Sequence, residues 1–486
     1  MAYLGWLFVG LLLGFGLAFF FRTKSFASMN SFADDGQDGS PQLVAPLLKS
    51  HFKPTTASEI TITERRFPFR MRADLQRTID KVFGDEITIK HFFGVRSEYS
   101  HCAPTLTDCI LESVNNPTYS IPPEYEELDL GDEHPLRVLK TGLWLLEADG
   151  VRFAVMLSPC GQYGQVTGMQ FQIGVPLSSE GSQIAQRFFK QLEDAVARGE
   201  SYRGKILSLE QAEHSYSGES NGITVHKLRE VRREDVILPA DTLTLLERNV
   251  IHFARNRNRL SELGMSKKKG ILFYGPPGTG KTHTIHHLAG SLDEHTTILI
   301  SAEQVGLLGE YMTLARLLQP SIVVMEDVDL IARERTSMES VCEEVLLNKL
   351  LNEMDGLKED AEIFFILTTN RPEALEAALA SRPGRVDQAI EFPLPDAEGR
   401  RKLVALYAPK GMLDDGLIDE VVRRTDGVSA AFIKEFMRRA TQFSVERDEN
   451  SRLIHADLDL ALDEMLFKGG SLNRKLLGAG QDSIDS

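Results

Sequence analysis

The longest uninterrupted apolar run stands at the start of the chain. AYLGWLFVGLLLGFGLAFFF, Ala2 to Phe21, is twenty residues without a charge, about the length a helix needs to cross the hydrocarbon core of a bilayer. Tyr3 and Trp6 suit an interfacial belt, and Arg22 and Lys24 follow directly. A cleaved signal peptide wants positive charge before its apolar core and small residues at its end. Here the charge comes after, and Phe19, Phe20 and Phe21 occupy the end. The pattern predicts an uncleaved transmembrane helix over 2–21, with its C-terminal side in the cytoplasm or an equivalent compartment. Gly10 and Gly14 have the GxxxG spacing that lets helices approach closely, and glycines scattered through a span account for them equally well.

Polar residues without periodicity follow, so 25–60 reads as a flexible linker. A mixed α+β domain is expected over 62–225. TGLWLLEADGVRFAVMLSP, Thr141 to Pro159, reads as two strands around an Asp-Gly turn, and MQFQIGVPL as a third strand. EGSQIAQRFFKQLEDAVARGE has the period of an amphipathic helix, and GKILSL that of a strand. This region shows no catalytic constellation.

The texture changes after Val225. A charged connector, HKLREVRREDVILP, leads into a helical pattern from Thr242 to Leu263. Five strand-like runs then alternate with helical stretches: GILFYG, TTILIS, SIVVMED, EIFFILTTN and QAIEFPLP. Such alternation predicts an α/β fold, a parallel sheet with helices on both faces, over 230–396. Residues 397–468 read as helical throughout, and 469–486 as a loosely ordered tail.

Composition narrows the function classes. Hydrophobic residues make up 42% and charged residues 26%, ordinary for a globular protein. The formal net charge of -16 counts against nucleic-acid binding, which is driven by cationic contacts with phosphates. None of the four cysteines forms a CxxC pair, so reduced structural thiols are expected.

GPPGTGKT, Gly275, Pro276, Pro277, Gly278, Thr279, Gly280, Lys281 and Thr282, fits GxxxxGK[ST] between a strand and a helix. Its glycines let backbone N–H groups turn inward around phosphate oxygens at a helix N-terminus. Lys281 supplies a charge for the β- and γ-phosphates, and Thr282 a hydroxyl for Mg²⁺. SIVVMED delivers Glu326 and Asp327 to the end of a buried strand, the edge where open α/β sheets bind ligands. One carboxylate can hold the metal while its neighbour orients the attacking water. By register, Glu326 takes the metal side and Asp327 the water side. Asn370 ends the next strand and could hydrogen-bond the water or the γ-phosphate. Arg382 and Arg385, in the turn SRPGRVD, could reach the γ-phosphate of a neighbouring subunit.

Together these motifs, over about residues 230 to 468, resemble the AAA family of AAA+ ATPases. Gly275–Thr282 looks like Walker A, Ile322–Asp327 like Walker B, Asn370 like sensor 1, and Arg382 and Arg385 like arginine fingers. TDGVSAAFIKEFMRRA looks like the opening of the family's helical lid. The resemblance implies a P-loop NTPase fold, ATP and Mg²⁺ as ligands, Gly427 and Ala430 near the nucleotide, and Val236 and Ile237 touching the adenine. It also implies a homo-oligomeric ring, a hexamer in most members, that uses ATP hydrolysis to remodel, extract or translocate a protein substrate. The Glu-Asp order and the GRVD turn are similar to the mitochondrial translocase type that moves a folded Rieske iron–sulfur protein.

Two departures qualify this expectation. Threading members carry an aromatic–hydrophobic–Gly loop after the second strand. Here the corresponding positions read Leu307-Leu308-Gly309, with Tyr311 displaced. Membrane-anchored metalloproteases of the family need HExxH, which the chain lacks. Competing readings are a nucleotide-gated scaffold with slow turnover, a small-molecule kinase and a nucleic-acid motor.

Overall fold

The computed structural model describes residues 42–85, 87–97, 104–111, 117–162, 165–211, 220–331, 349–350, 352–358, 360–373, 386–448 and 452–468. The expected transmembrane helix and the expected tail lie outside these residues. Among the described residues, no helix is long and apolar enough to cross a membrane. The chain divides into two compact units, Met1–Ser201 and Tyr202–Ser486.

The first unit is built on seven antiparallel strands: β1 Ile60–Pro68, β2 Thr88–Ser97, β3 Thr118–Ile121, β4 Glu124–Leu128, β5 Leu136–Ala148, β6 Val151–Gln162 and β7 Gln165–Pro176. They run in the order β1-β7-β6-β5-β2-β3, with β4 also on β5. The β5–β6 turn is the expected one, with Asp149 at φ +52° and Gly150 at φ +76°, the left-handed pair that a two-residue hairpin requires. Residues Leu143 to Leu146 are all buried, because both faces of the sheet are covered. Leu143 and Leu145 face Val44, Leu48, Phe52, Leu106 and Ile110. On the other side Trp144 meets Phe83, and Phe171 meets Phe188 on the helix Ser179–Arg198.

The linker expected over 25–60 is corrected from Val44 onward, and its part over 25–41 lies outside the described residues. Val44–Phe52 is a helix, with Val44, Leu48 and Phe52 spaced four apart on one buried face. Only one such face fits into nine residues, and the polar flanks conceal its period.

The second unit contains β8 Ile206–Gln211, β9 Ser220–Val225, β10 Lys269–Tyr274, β11 Thr296–Ile300, β12 Ser321–Met325, β13 Ile363–Thr369 and β14 Gln388–Glu391. Their order is β14-β10-β13-β12-β11-β8-β9. All neighbours are parallel except β9, which returns antiparallel along β8. The five strands expected from the pattern are present, and β8 and β9 extend their sheet. The boundary expected at 225 therefore moves to Ser201. Parallel pairing of β8 with β11 joins strands far apart in sequence, and no local signal marks it. The helical stretch before β10 contains a π turn at Glu247–His252 and a break at Asn256.

Residues from Ala397 to Lys468 are mostly helical and share their own core around Val421, Phe432, Phe436 and Leu458. Three of these helices start on side-chain caps. Asp396, Asp414 and Ser429 accept from the N–H groups of Gly399, Leu417 and Phe432, each stabilising by about 1 kcal/mol.

Candidate active site

The central strands β10, β12 and β13 end at one edge of the sheet, and each delivers part of the site there. Strand β10 turns into the glycine loop through Gly275, at φ +146°. A Cβ at Gly275 would lie 2.2 Å from the carbonyl oxygen of Phe392, so only glycine fits. Gly278, at φ +77°, lies against the helical domain, where a Cβ would meet Ser429 and Ala431 at 2.9 Å. Its carbonyl accepts the Ala431 N–H at 3.0 Å. Gly280, at φ +100°, turns the chain into the helix Lys281–Ser291.

The Lys281 ammonium donates to Gly275 O at 2.7 Å, to Pro276 O at 3.0 Å and to Asn370 Oδ1 at 2.8 Å. Burial pushes its pKa down, against the pull of Asp327 and Asp329. Thr279 donates to Pro276 O and braces the loop. The Thr282 hydroxyl donates to Glu326 Oε1 at 2.7 Å. A hydroxyl beside a carboxylate is an oxygen pair of the kind a hard divalent cation selects.

Asp327 stands at the turn that leaves β12. It adopts φ +50°, a left-handed conformation that Asp and Asn tolerate better than other side chains with a Cβ. Its N–H donates to Thr368 Oγ1 at 2.9 Å, and its Oδ1 accepts from Asn370 Nδ2 at 3.0 Å. Asn370 thus bridges Lys281 and Asp327. Buried Asp329 holds Asn370 in place, its Oδ1 accepting from Thr369 Oγ1 at 2.9 Å and from the Asn370 N–H at 3.1 Å. The second acid of the pair answers to backbone handedness as well as to charge. A Glu at φ +50° is the more strained choice.

These groups line a cavity of about 410 Å³, within the usual range for small-molecule sites. Pro277 to Thr282, Asp327 and Asn370 line one part of its wall. Val236, Ile237, Tyr407, Ala430, Ala431 and Lys434 line another. The structure therefore brings together most of the residues expected from sequence. Gly275, Pro276 and Glu326 act beside the wall, through Lys281 and Thr282. Gly427 is a left-handed turn at φ +68° just before the Ser429 cap, and it is not among the residues that line the cavity. Arg382 and Arg385 lie outside the described residues. Thr368, Ala431 and Lys434 lie inside quoted stretches that gave them no role, and Tyr407 lies in none, so sequence reasoning missed all four. Asp329 is a third acid two residues after Asp327, the one signal in the sequence that could have pointed to it.

The segment after β11 is different. Leu307, Leu308 and Tyr311 are buried. The Tyr311 hydroxyl accepts the Leu209 N–H at 3.0 Å and donates to Gln304 Oε1 at 2.8 Å. Gln304 Nε2 donates to Leu209 O at 2.9 Å.

Residues 271–394 match the family model "ATPase family associated with various cellular activities (AAA)". The chain is 33% identical over 219 residues to a 26S proteasome regulatory subunit 4 homolog of Oryza sativa, covering 43% of this chain and 48% of that protein. It is 33% identical over 218 residues to the proteasome-activating nucleotidase of Methanothermobacter thermautotrophicus, covering 42% and 52%. It is 31% identical over 241 residues to the ATP-dependent zinc metalloprotease FtsH 2 of Symbiobacterium thermophilum, covering 47% and 41%. The chain spans about half the length of the curated relatives it matches. With the glycine loop, the Thr282–Glu326 pair and the Lys281–Asn370–Asp327 bridge at one sheet edge, the chain carries an ATPase domain of the AAA family.

Proposed function

We propose that this chain is a membrane-anchored ATPase that hydrolyses ATP to remodel, extract or translocate a protein substrate, working as a homo-oligomeric ring, a hexamer. The observation that carries the catalytic part is the Asn370 bridge, 2.8 Å from Lys281 and 3.0 Å from Asp327. It sets the Lys281 ammonium and the Asp327 carboxylate side by side beside the glycine loop, which supports reading them as the phosphate-binding cation and the base.

Bound ATP would lay its phosphates against the loop N–H groups and the N-terminus of the helix that follows. Mg²⁺ would be held by Thr282 and Glu326 and would supply neutralising charge to the β- and γ-oxygens. Lys281 would leave the carbonyls of Gly275 and Pro276 for the phosphates, which bear full negative charge. Asp327 would orient the attacking water and accept its proton, while Asn370 fixes that carboxylate. Val236 and Ile237, in the cavity wall, would meet the nucleoside. Arg382 and Arg385 would act on the nucleotide of a neighbouring subunit.

The remodelling reading draws on the relatives, whose names place them on the proteasome or give them ATP-dependent protease activity. The chain lacks HExxH, so no proteolysis of its own is proposed. Anchorage through residues 2–21, with the ATPase domain on the cytoplasmic side, rests on the uncharged run and the cations after it.

Single-turnover phosphate release by the purified chain is the test. Release by the native protein that is lost in Lys281→Ala supports an ATPase. ATP binding without release would favour the nucleotide-gated scaffold. Mixing Lys281→Ala with Arg385→Ala subunits tests the ring. Activity that depends on the mixing ratio supports action across interfaces, and strictly independent subunits would refute it.

A further inference from the structure

The helix that begins with Lys281 and Thr282 also carries His283 and His287, four residues apart and so on one face. Each ring meets a backbone carbonyl of the connector that precedes the ATPase core. His283 Nε2 is 3.2 Å from Asp235 O, and His287 Nδ1 is 3.0 Å from Val231 O. A carbonyl can only accept, so both rings donate. The connector segment between those carbonyls closes in a 3₁₀ turn, Arg233–Asp235, and runs directly into Val236 and Ile237. Val236 is buried, and both line the cavity beside His283.

One helix therefore brings Lys281 and Thr282 to the glycine-loop part of the wall and, through its histidines, holds the connector that forms another part. We propose that His283 and His287 are positioning residues for nucleoside recognition. Through the carbonyls of Asp235 and Val231 they fix the connector so that Val236 and Ile237 present their backbone to the base. This inference rests on the reading of the cavity as an ATP site. Loss of a histidine donor frees the connector while leaving Lys281, Thr282 and the glycine loop in place. The base then loses a preorganised partner, and the phosphates do not.

The test compares binding of MgATP and of magnesium tripolyphosphate, which has no nucleoside, to the full chain. His283→Met removes the donor at similar length, and His283→Gln keeps an N–H donor. His283→Met should weaken MgATP about tenfold, the loss of one net hydrogen bond. Tripolyphosphate affinity should stay within about twofold, and His283→Gln should recover most of the ATP affinity. In turnover, KM for ATP should rise while kcat holds within about twofold. The preference for ATP over GTP should shrink. The pair His287→Met and His287→Gln repeats the comparison at a second position, should His283→Met fold poorly. Equal losses for ATP and tripolyphosphate, or unchanged ATP affinity in both Met variants, would overturn the inference. A native protein that binds neither probe would overturn the ATP reading itself.

Discussion

Strands β11 and β12 lie side by side, run the same way and end at the same edge, yet the segments that leave them do opposite things. After β12, Glu326, Asp327 and Asp329 are polar, and the first two reach the site through hydrogen bonds to Thr282 and Asn370. After β11, Leu307, Leu308 and Tyr311 turn inward and pack. The neighbours explain the contrast. Strand β12 sits against β13, whose end offers Thr368 and Asn370 as partners. Strand β11 sits against β8, and Leu209 there gives its N–H to Tyr311 and its carbonyl to Gln304. Position at a strand's C-terminal edge creates the opportunity for chemistry, and the adjoining strand decides whether it is used.

The comparison breaks most sharply at Asp327. Asp327→Asn keeps the left-handed backbone and removes the proposed base, so phosphate release should fall about 1000-fold, with ATP binding retained by filter or calorimetric assay. If Asp327→Asn turns over normally while Glu326→Gln is dead, the two acids have exchanged roles. On the β11 side the same logic predicts a structural loss. Leu308→Ala should destabilise the ATPase unit by about 3 kcal/mol, read as a lowered melting temperature. A variant that melts normally but fails to remodel substrate would restore a gripping role to this loop.

The other end of β11 supplies a pH test. His295 is buried and lacks a hydrogen-bond partner at either ring nitrogen. Burial, with Arg257 nearby, lowers its pKa from 6.5 to about 4, against the opposing pull of Glu294, Glu362 and Asp293. The unfolded chain therefore binds a proton between these values that the folded chain refuses. Stability is complete above about pH 6.5 and is lost as the pH falls toward 4. At pH 5 the loss should be about 2 kcal/mol, and His295→Leu should remove that part of the pH dependence in calorimetry. The smallest effect belongs to Tyr311→Phe. It leaves the Leu209 N–H without its partner and should cost about 1 kcal/mol of stability, with steady-state hydrolysis unchanged. A loss of hydrolysis larger than the loss of stability would join the two edges into one functional unit.

Much of this was legible in the chain. The glycine loop, the acids and the terminal Asn370 are close in sequence to the strands that carry them, and each strand has a clear apolar run. What stayed hidden depends on distant pairing. Strand β8 reads as a strand anywhere, and only its register with Thr297 and Ile298 shows which sheet it joins. Tyr407 and Lys434 reach the cavity because the helical domain folds back on the loop, held by the Ala431 N–H. The helix Val44–Phe52 was masked by its polar flanks. Gly427, which the resemblance puts near the nucleotide, takes a left-handed turn two residues before the Ser429 cap.

The addition of β8 and β9 decides where the ATPase part can be cut free. A fragment starting at residue 230, inside the connector, would discard both strands. The outer edge of β11 would be left with unpaired N–H and carbonyl groups, and Tyr311 and Gln304 would lose Leu209. An exposed apolar strand of this kind is a template for intermolecular pairing, so such a fragment should precipitate or elute as large aggregates. A fragment starting at Tyr202 keeps the edge covered and should remain dispersed. Light scattering of the two preparations would read the difference directly.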